Sequence, residues 1–148
     1  MRTDHIRLRR IVRRLIEGPD YAAGIVVMRK FADGLRVLCL WNGAEADIPK
    51  GQMEPDDDGA LDAGLRELRE EAGITAIEFP WGKDSVVVGN MTAYVGLTEQ
   101  DVAIRPNPVT GDVEHTDSEW IPASQAAATF SGDLAHIVGW AILRTHTY

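Results

Sequence analysis

Cysteine is nearly absent from this chain. The single Cys39 in 148 residues excludes an internal disulfide framework and any cysteine-based zinc cluster. Its setting, Val-Leu-Cys-Leu-Trp, predicts a buried small hydrophobe. Long hydrophobic runs are missing too. The longest, Ala22–Met28, has seven residues, far short of the ~20 that span a bilayer. The opening stretch, MRTDHIRLRRIVRRL, has neither the apolar core nor the cleavage site of a secretory signal. These absences predict a protein of a reducing cytoplasm with no membrane attachment. There is no Walker A loop, no G-x-S-x-G elbow and no H-E-x-x-H. The histidines, His5, His115, His136 and His146, show no zinc-type spacing, so each is expected to be structural or exposed.

What is present is a globular composition, 45% hydrophobic and 26% charged, at the length of one domain. The net charge of −8 is unevenly spread. Residues 1 to 16 set Arg2, Arg7, Arg9, Arg10, Arg13 and Arg14 against Asp4, a local +5 that leaves −13 on the other 132 residues. An acidic body argues against a nucleic-acid clamp made of the whole domain. It suits a protein that gathers divalent cations, although solubility alone also favours acidity.

Hydrophobic spacing predicts a helix over residues 4 to 17, capped by Thr3 and ended by Gly18-Pro19. Residues 1–18 are therefore read as a basic amphipathic helix, and 19–148 as the main domain. Two β-rich runs follow, Tyr21–Lys30 and Leu35–Trp41, joined by a turn at Phe31–Gly34. A loop is expected over Asn42–Asp58, then a helix from Gly59 to Ala72 stopped by Gly73. Strands are expected at Ile74–Phe79, Ser85–Val88, Met91–Leu97 and Ser118–Ile121, and helices at Ala123–Phe130 and Asp133–Arg144. This mixed order predicts a layered α/β domain.

The helix over Gly59–Ala72 carries Leu61, Leu65, Leu68 and Ala72 on one stripe and Glu67, Glu70 and Glu71 on another. Carboxylates at i, i+3 and i+4 are neighbours that repel unless a cation lies among them, and hard cations such as Mg²⁺ prefer such oxygens. A solvated acidic face relieved by Arg66 and Arg69 is the plainer reading of the helix alone.

The surroundings shift the balance. Arg66-Glu67-Leu68-x-Glu70-Glu71-x-Gly73-Ile74 resembles the second half of the Nudix box, G-x5-E-x7-R-E-U-x-E-E-x-G-U with U aliphatic, at every specified position. The first half departs from that pattern. In register, Gln52 stands for the box glycine and Asp58 for the box glutamate, the residue that pairs with the box arginine. An extra loop residue after Gly51 would give the second part to Asp57. The in-register reading needs no length change and is preferred. The run Pro49-Lys50-Gly51-Gln52-Met53-Glu54-Pro55 and the later Glu114-His115…Trp120 look most like the diadenosine tetraphosphate hydrolase branch. The acidic loop also resembles diphosphoinositol polyphosphate phosphohydrolases.

The resemblance implies an α/β/α sandwich with a mixed sheet. It also implies a Mg²⁺- or Mn²⁺-dependent hydrolase that splits a nucleoside diphosphate from another moiety. It implies Glu67, Glu70 and Glu71 as metal ligands, with the carbonyl of Gly51 or Gln52, and Glu114 as a further acidic ligand. Glu67 or Glu114 would serve as general base, and Arg66 would orient Glu67. Lys50 is a candidate contact to a substrate phosphate and Trp41 the best placed of the tryptophans to stack on a base. Trp81, Trp120 and Trp140 are read as core or rim. Alternatives are removal of pyrophosphate from RNA 5′ ends, gripped by the arginine helix, action on diphosphoinositol polyphosphates, and a silent nucleotide-sensing module. That helix could equally pack on the sheet or on a partner subunit in a homodimer.

Overall fold

The computed structural model describes residues 21–106, 108 and 110–146. The helix expected over 4 to 17, and with it the division at residue 18, lies outside the described residues.

The first hairpin forms where the two β-rich runs and the turn between them predict it. Strand β1 (Ala22–Phe31) and β2 (Gly34–Asn42) pair antiparallel only near the turn, from Met28↔Val37 to Phe31↔Gly34. Beyond that they diverge, and short strands fill the space on either side. Strand β3 (Glu45–Asp47) pairs with the far end of β2, and β4 (Lys50–Gln52) with the start of β1. Both lie within the stretch expected to be a loop over Asn42–Asp58, so that expectation is corrected. Each strand is three residues long and is specified by the edge it meets rather than by its own pattern.

Helix α1 spans Ala60–Ala72 and stops at Gly73, whose φ of 68° places it in the left-handed region. Strand β5 (Val86–Val88) pairs antiparallel with β6 (Met91–Leu97), and β6 runs parallel to β1 from Ala22↔Met91 to Met28↔Leu97. Strand β7 (Asp117–Pro122) lines the other side of β2. Helices α2 (Ala123–Thr129) and α3 (Gly132–His146) close the chain. The run Ile74–Phe79, expected to be a strand, makes a single bridge, Glu78↔Leu97. The Gln100 side chain takes the amides of Thr75 and Ala76 at 2.9 Å each, so a ladder has no donors left there.

The seven strands form one mixed sheet, and the two-residue period of each strand sorts side chains to its two faces. Ile25, Val27, Leu38 and Leu40 join Leu68, Ala72 and Ile74 under α1. Val26, Met28, Val37 and Cys39 face Phe130, Ile137, Val138 and Ala141 of the opposite helical layer. The result is the expected α/β/α sandwich. Leu68 is fully buried, a burial that stabilises by about 1.5–3 kcal/mol, and it fixes the roll of α1. That roll turns the carboxylates toward β4. Cys39 is fully buried, as its setting predicts, and burial pushes its thiol up to about 11.

Candidate metal and phosphate site

The site begins where β4 runs beneath α1. Gly51 pairs with Ala23 on β1, and its Cα faces the side chain of Glu67. A methyl group on Gly51 would collide with the Glu67 carboxylate. A side chain here would displace that carboxylate, which favours Gly51, not Gln52, as the box glycine.

Arg66 organises the carboxylates around it. Its Nε and Nη2 donate to Oδ1 and Oδ2 of Asp57 at 2.9 and 3.0 Å. Nη2 also donates to the Gln52 carbonyl at 3.0 Å, and Nη1 to Glu67 at 2.9 Å and Glu70 at 3.2 Å. A planar guanidinium suits this fork. Burial opposes its charge, but the Asp57 bond and the charges of Glu67, Asp57 and Glu54 outweigh it and hold the group firmly protonated. The partner of Arg66 is thus Asp57, 5% exposed. Asp58 is exposed, and its amide donates to Asp62 at 2.8 Å. The in-register assignment of Asp58 is corrected: Gly51-x5-Asp57 restores the first half of the box, and the one extra residue lies between Asp57 and Arg66.

The acidic stripe of α1 is not a solvated face. Glu71 is 8% exposed. Its Oε1 accepts the Lys50 amide at 3.2 Å, while its buried Oε2 has no hydrogen-bond partner among the described residues. Burial, the adjoining Glu67 carboxylate and the negative charge of Glu114 push the Glu71 carboxyl up to about 10. Burial also raises Glu67, against the pull of its bonds to Glu71 and Arg66. A buried acidic group with an orphaned oxygen has the donor chemistry that a hard divalent cation satisfies. The residues present therefore fit such an ion.

Sequence spacing passed over two members of this site. His115 is buried at 2% exposure. Its Nε2 lies 2.9 Å from Asp47 Oδ2, and its Nδ1 is 3.1 Å from Glu71 Oε2 but out of line for a hydrogen bond. Burial works to raise the Asp47 carboxyl, but the His115 bond and the charge of Lys50 hold it below its usual value. Asp47, Glu114 and His115 bring ligand atoms within 4.8 Å of one another.

Two openings meet at this cluster. One, of about 30 Å³, is lined by Glu67, Glu70, Glu71, Arg105, Glu114 and His115. The other is an open groove of about 350 Å³ between Lys50–Pro55, Glu67 and Glu114. The structure thus brings together Lys50, Gly51, Arg66, Glu67, Glu70, Glu71 and Glu114. Lys50 Nζ lies 3.3 Å from Asp47 Oδ1. Trp41 does not line either opening: it packs against the core on the face away from α1, and its Nε1 donates to Glu119 at 3.2 Å. Trp81 is buried in that core, while Trp120 and Trp140 are partly buried.

A family model described as the NUDIX domain matches residues 8–141. Among solved structures, an Ap4A hydrolase binary complex from C. elegans superposes with TM-score 0.66 at 19% identity, over 87% of this chain and 99% of that one. The NUDIX domain of Shewanella oneidensis NrtR complexed with ADP ribose superposes with TM-score 0.60 at 14% identity, over 88% and 90%. A Nudix hydrolase from M. smegmatis, RenU, gives 0.57 at 17% identity, over 88% and 86%. No curated protein matches the sequence. Among the described residues no helix is long and apolar enough to cross a membrane.

Proposed function

The chain belongs to the Nudix family, hydrolases of phosphorus-containing anhydrides, and on that premise we propose that it is a metal-dependent pyrophosphohydrolase of nucleotide substrates. It cleaves a diphosphate linkage in a nucleoside diphosphate joined to a second moiety, and dinucleoside polyphosphates are the favoured class. The observation that carries this reading is the convergence of Glu67, Glu70 and Glu71, with Arg66 holding Glu67 and Glu70, and with Glu67 lining an open groove beside Gly51. The Pro49–Pro55 run and the Glu114-His115…Trp120 pattern favour dinucleoside polyphosphates, and one structural neighbour is described as an Ap4A hydrolase.

In this reading Glu67, Glu70 and Glu71, with the Gly51 carbonyl, hold Mg²⁺ or Mn²⁺. A bound divalent ion neutralises pyrophosphate charge and lowers the pKa of water beside it. Arg66 positions Glu67 and Glu70 and takes no part in the chemistry. Lys50, at the groove edge, meets a substrate phosphate. Glu114 is exposed and lines both openings, so it is the better general base. Glu67 is committed to Arg66 and crowded against Glu71. Trp41 lines neither opening, so base stacking by this residue gains no support from the site.

The basic residues 1 to 16 support a second reading, RNA 5′ ends as substrate, with residues 1–18 as an appendage to the domain at 19–148. The test is a screen of purified protein over dinucleoside polyphosphates, nucleoside triphosphates, ADP-ribose, diphosphoinositols and triphosphorylated RNA, with Mg²⁺ and with Mn²⁺. Turnover led by dinucleoside polyphosphates is expected. Turnover led by RNA and suppressed steeply by salt would favour the second reading, and no turnover on any substrate would leave a nucleotide-sensing module.

A further inference from the structure

We infer that His115, oriented by Asp47, supplies a nitrogen ligand beside Glu71, so that the site takes a transition-metal ion of the Mn²⁺ or Zn²⁺ class in preference to Mg²⁺. The inference rests on the reading of the carboxylate cluster as a metal site and adds a donor that the box residues do not provide.

An ionised carboxylate only accepts hydrogen bonds. Asp47 Oδ2, 2.9 Å from His115 Nε2, therefore places the ring proton on Nε2. The other nitrogen, Nδ1, then presents a lone pair. What it meets is Glu71 Oε2, at 3.1 Å, a buried oxygen with no hydrogen-bond partner among the described residues. A doubly protonated ring would aim its second N–H at that oxygen, and the two are not aligned for it. Two acceptor atoms held that close repel unless a proton or a cation lies between them, and a bound ion would take the proton's place. Ligands bound at about 2.1 Å to one ion and set at near right angles lie about 3 Å apart, which is the spacing seen. A carboxylate on one ring nitrogen and a metal on the other is the arrangement by which proteins fix a histidine ligand. The opening that His115 and Glu71 share, about 30 Å³, has the volume of one small ion or water. Imidazole favours transition ions, whereas Mg²⁺ prefers oxygen.

The experiment is performed on the full-length protein loaded with Mn²⁺. Pulsed electron paramagnetic resonance should show a directly bound ¹⁴N coupling in the wild type that disappears in His115→Gln. Calorimetric titration should show Mn²⁺ binding weakened about 10- to 100-fold in His115→Gln, with Mg²⁺ binding changed less than threefold. Asp47→Asn should keep the nitrogen coupling but weaken Mn²⁺ binding. Absence of the ¹⁴N coupling in the wild type overturns the inference, and that measurement stands even if a variant fails to fold. An imidazolium bridging two carboxylates would give that negative result. Because the readout is spectroscopic, Mg²⁺-supported hydrolysis without nitrogen coupling would sink the ligand assignment alone. Loss of all metal binding would sink the proposed function as well.

Discussion

Exchanging Asp57 or Asp58 for asparagine should have sharply unequal consequences. Asp57 is buried at 5% exposure and accepts two bonds from Arg66 and one, at 2.7 Å, from the Glu54 amide. Asparagine keeps the shape but removes the charge and turns an amide donor toward a guanidinium. Breaking one side of a buried ion pair costs about 3–5 kcal/mol. Arg66 keeps Glu67, Glu70 and the Gln52 carbonyl, so the lower end, about 3 kcal/mol, applies. For a domain of this size, that lowers Tm by roughly 6–12 °C. Asp58 is exposed and only its backbone amide is engaged, so Asp58→Asn should stay within about 0.5 kcal/mol. Urea unfolding of the three proteins, with the slope checked for constancy, measures both. An unstable Asp58→Asn beside an unaltered Asp57→Asn would refute the clamp and restore the in-register box.

Glu70→Gln should keep the fold and lose turnover by roughly 10² or more, with less thermal stabilisation by Mn²⁺ than the wild type. Full activity on any substrate would remove the mechanism. Gly51→Ala should push the Glu67 carboxylate off its seat and cut turnover and metal affinity together; unchanged metal binding would show that the seat is not needed. The Glu71 carboxyl, raised from 4.5 to about 10, binds more protons folded than unfolded between those values. The metal-free protein should therefore lose stability as pH climbs through that window. Melting curves in a chelator would expose this, and a Tm that rises from pH 5 to 9 would contradict it. Deleting residues 1–17 should spare small-nucleotide turnover, while under the RNA reading it flattens the salt dependence.

Local pattern made much of the fold legible, and pairing between distant segments explains most of what it did not. The β1–β2 hairpin consists of two long β-rich apolar runs about a turn and α1 carries a period of 3.6, so each showed itself. Strands β3 and β4 are three residues each, too short for any period. They exist because β1 and β2 diverge after Met28↔Val37 and leave edges to be filled. Ile74–Phe79 had strand-like composition, but composition says nothing of a Gln100 side chain that claims two of its amides. Numbering along the box failed for a related reason. A count that tolerates no insertion selects Asp58, whereas burial selects the residue whose side chain can close a turn. That residue is Asp57, which exchanges a backbone and a side-chain bond with Glu54.

The histidine was set aside because its partners are remote in sequence. Leu40 of β2 pairs with Asp47 on one side and with Ser118 on the other. The end of β2 thus collects the last residue of β3 and the segment that leads into β7, and Thr116 ties that segment down by donating to the Trp41 carbonyl at 2.9 Å. His115 is thereby carried back over the end of the sheet onto a carboxylate 68 positions earlier, and α1 supplies Glu71 from the layer above. Spacing rules for metal ligands work where one helix or one turn holds the set. Here three elements each contribute a residue, so the set exists only once the sheet has assembled. The same architecture separates what the two halves of the site require. Arg66 and Asp57 belong to one loop–helix unit and hold Glu67 and Glu70 locally, while His115 and Asp47 are brought up to Glu71 through the sheet. Damage to the clamp and damage to the histidine should therefore add rather than overlap in their effect on stability, and a double variant of Asp57→Asn with His115→Gln tests that separation directly.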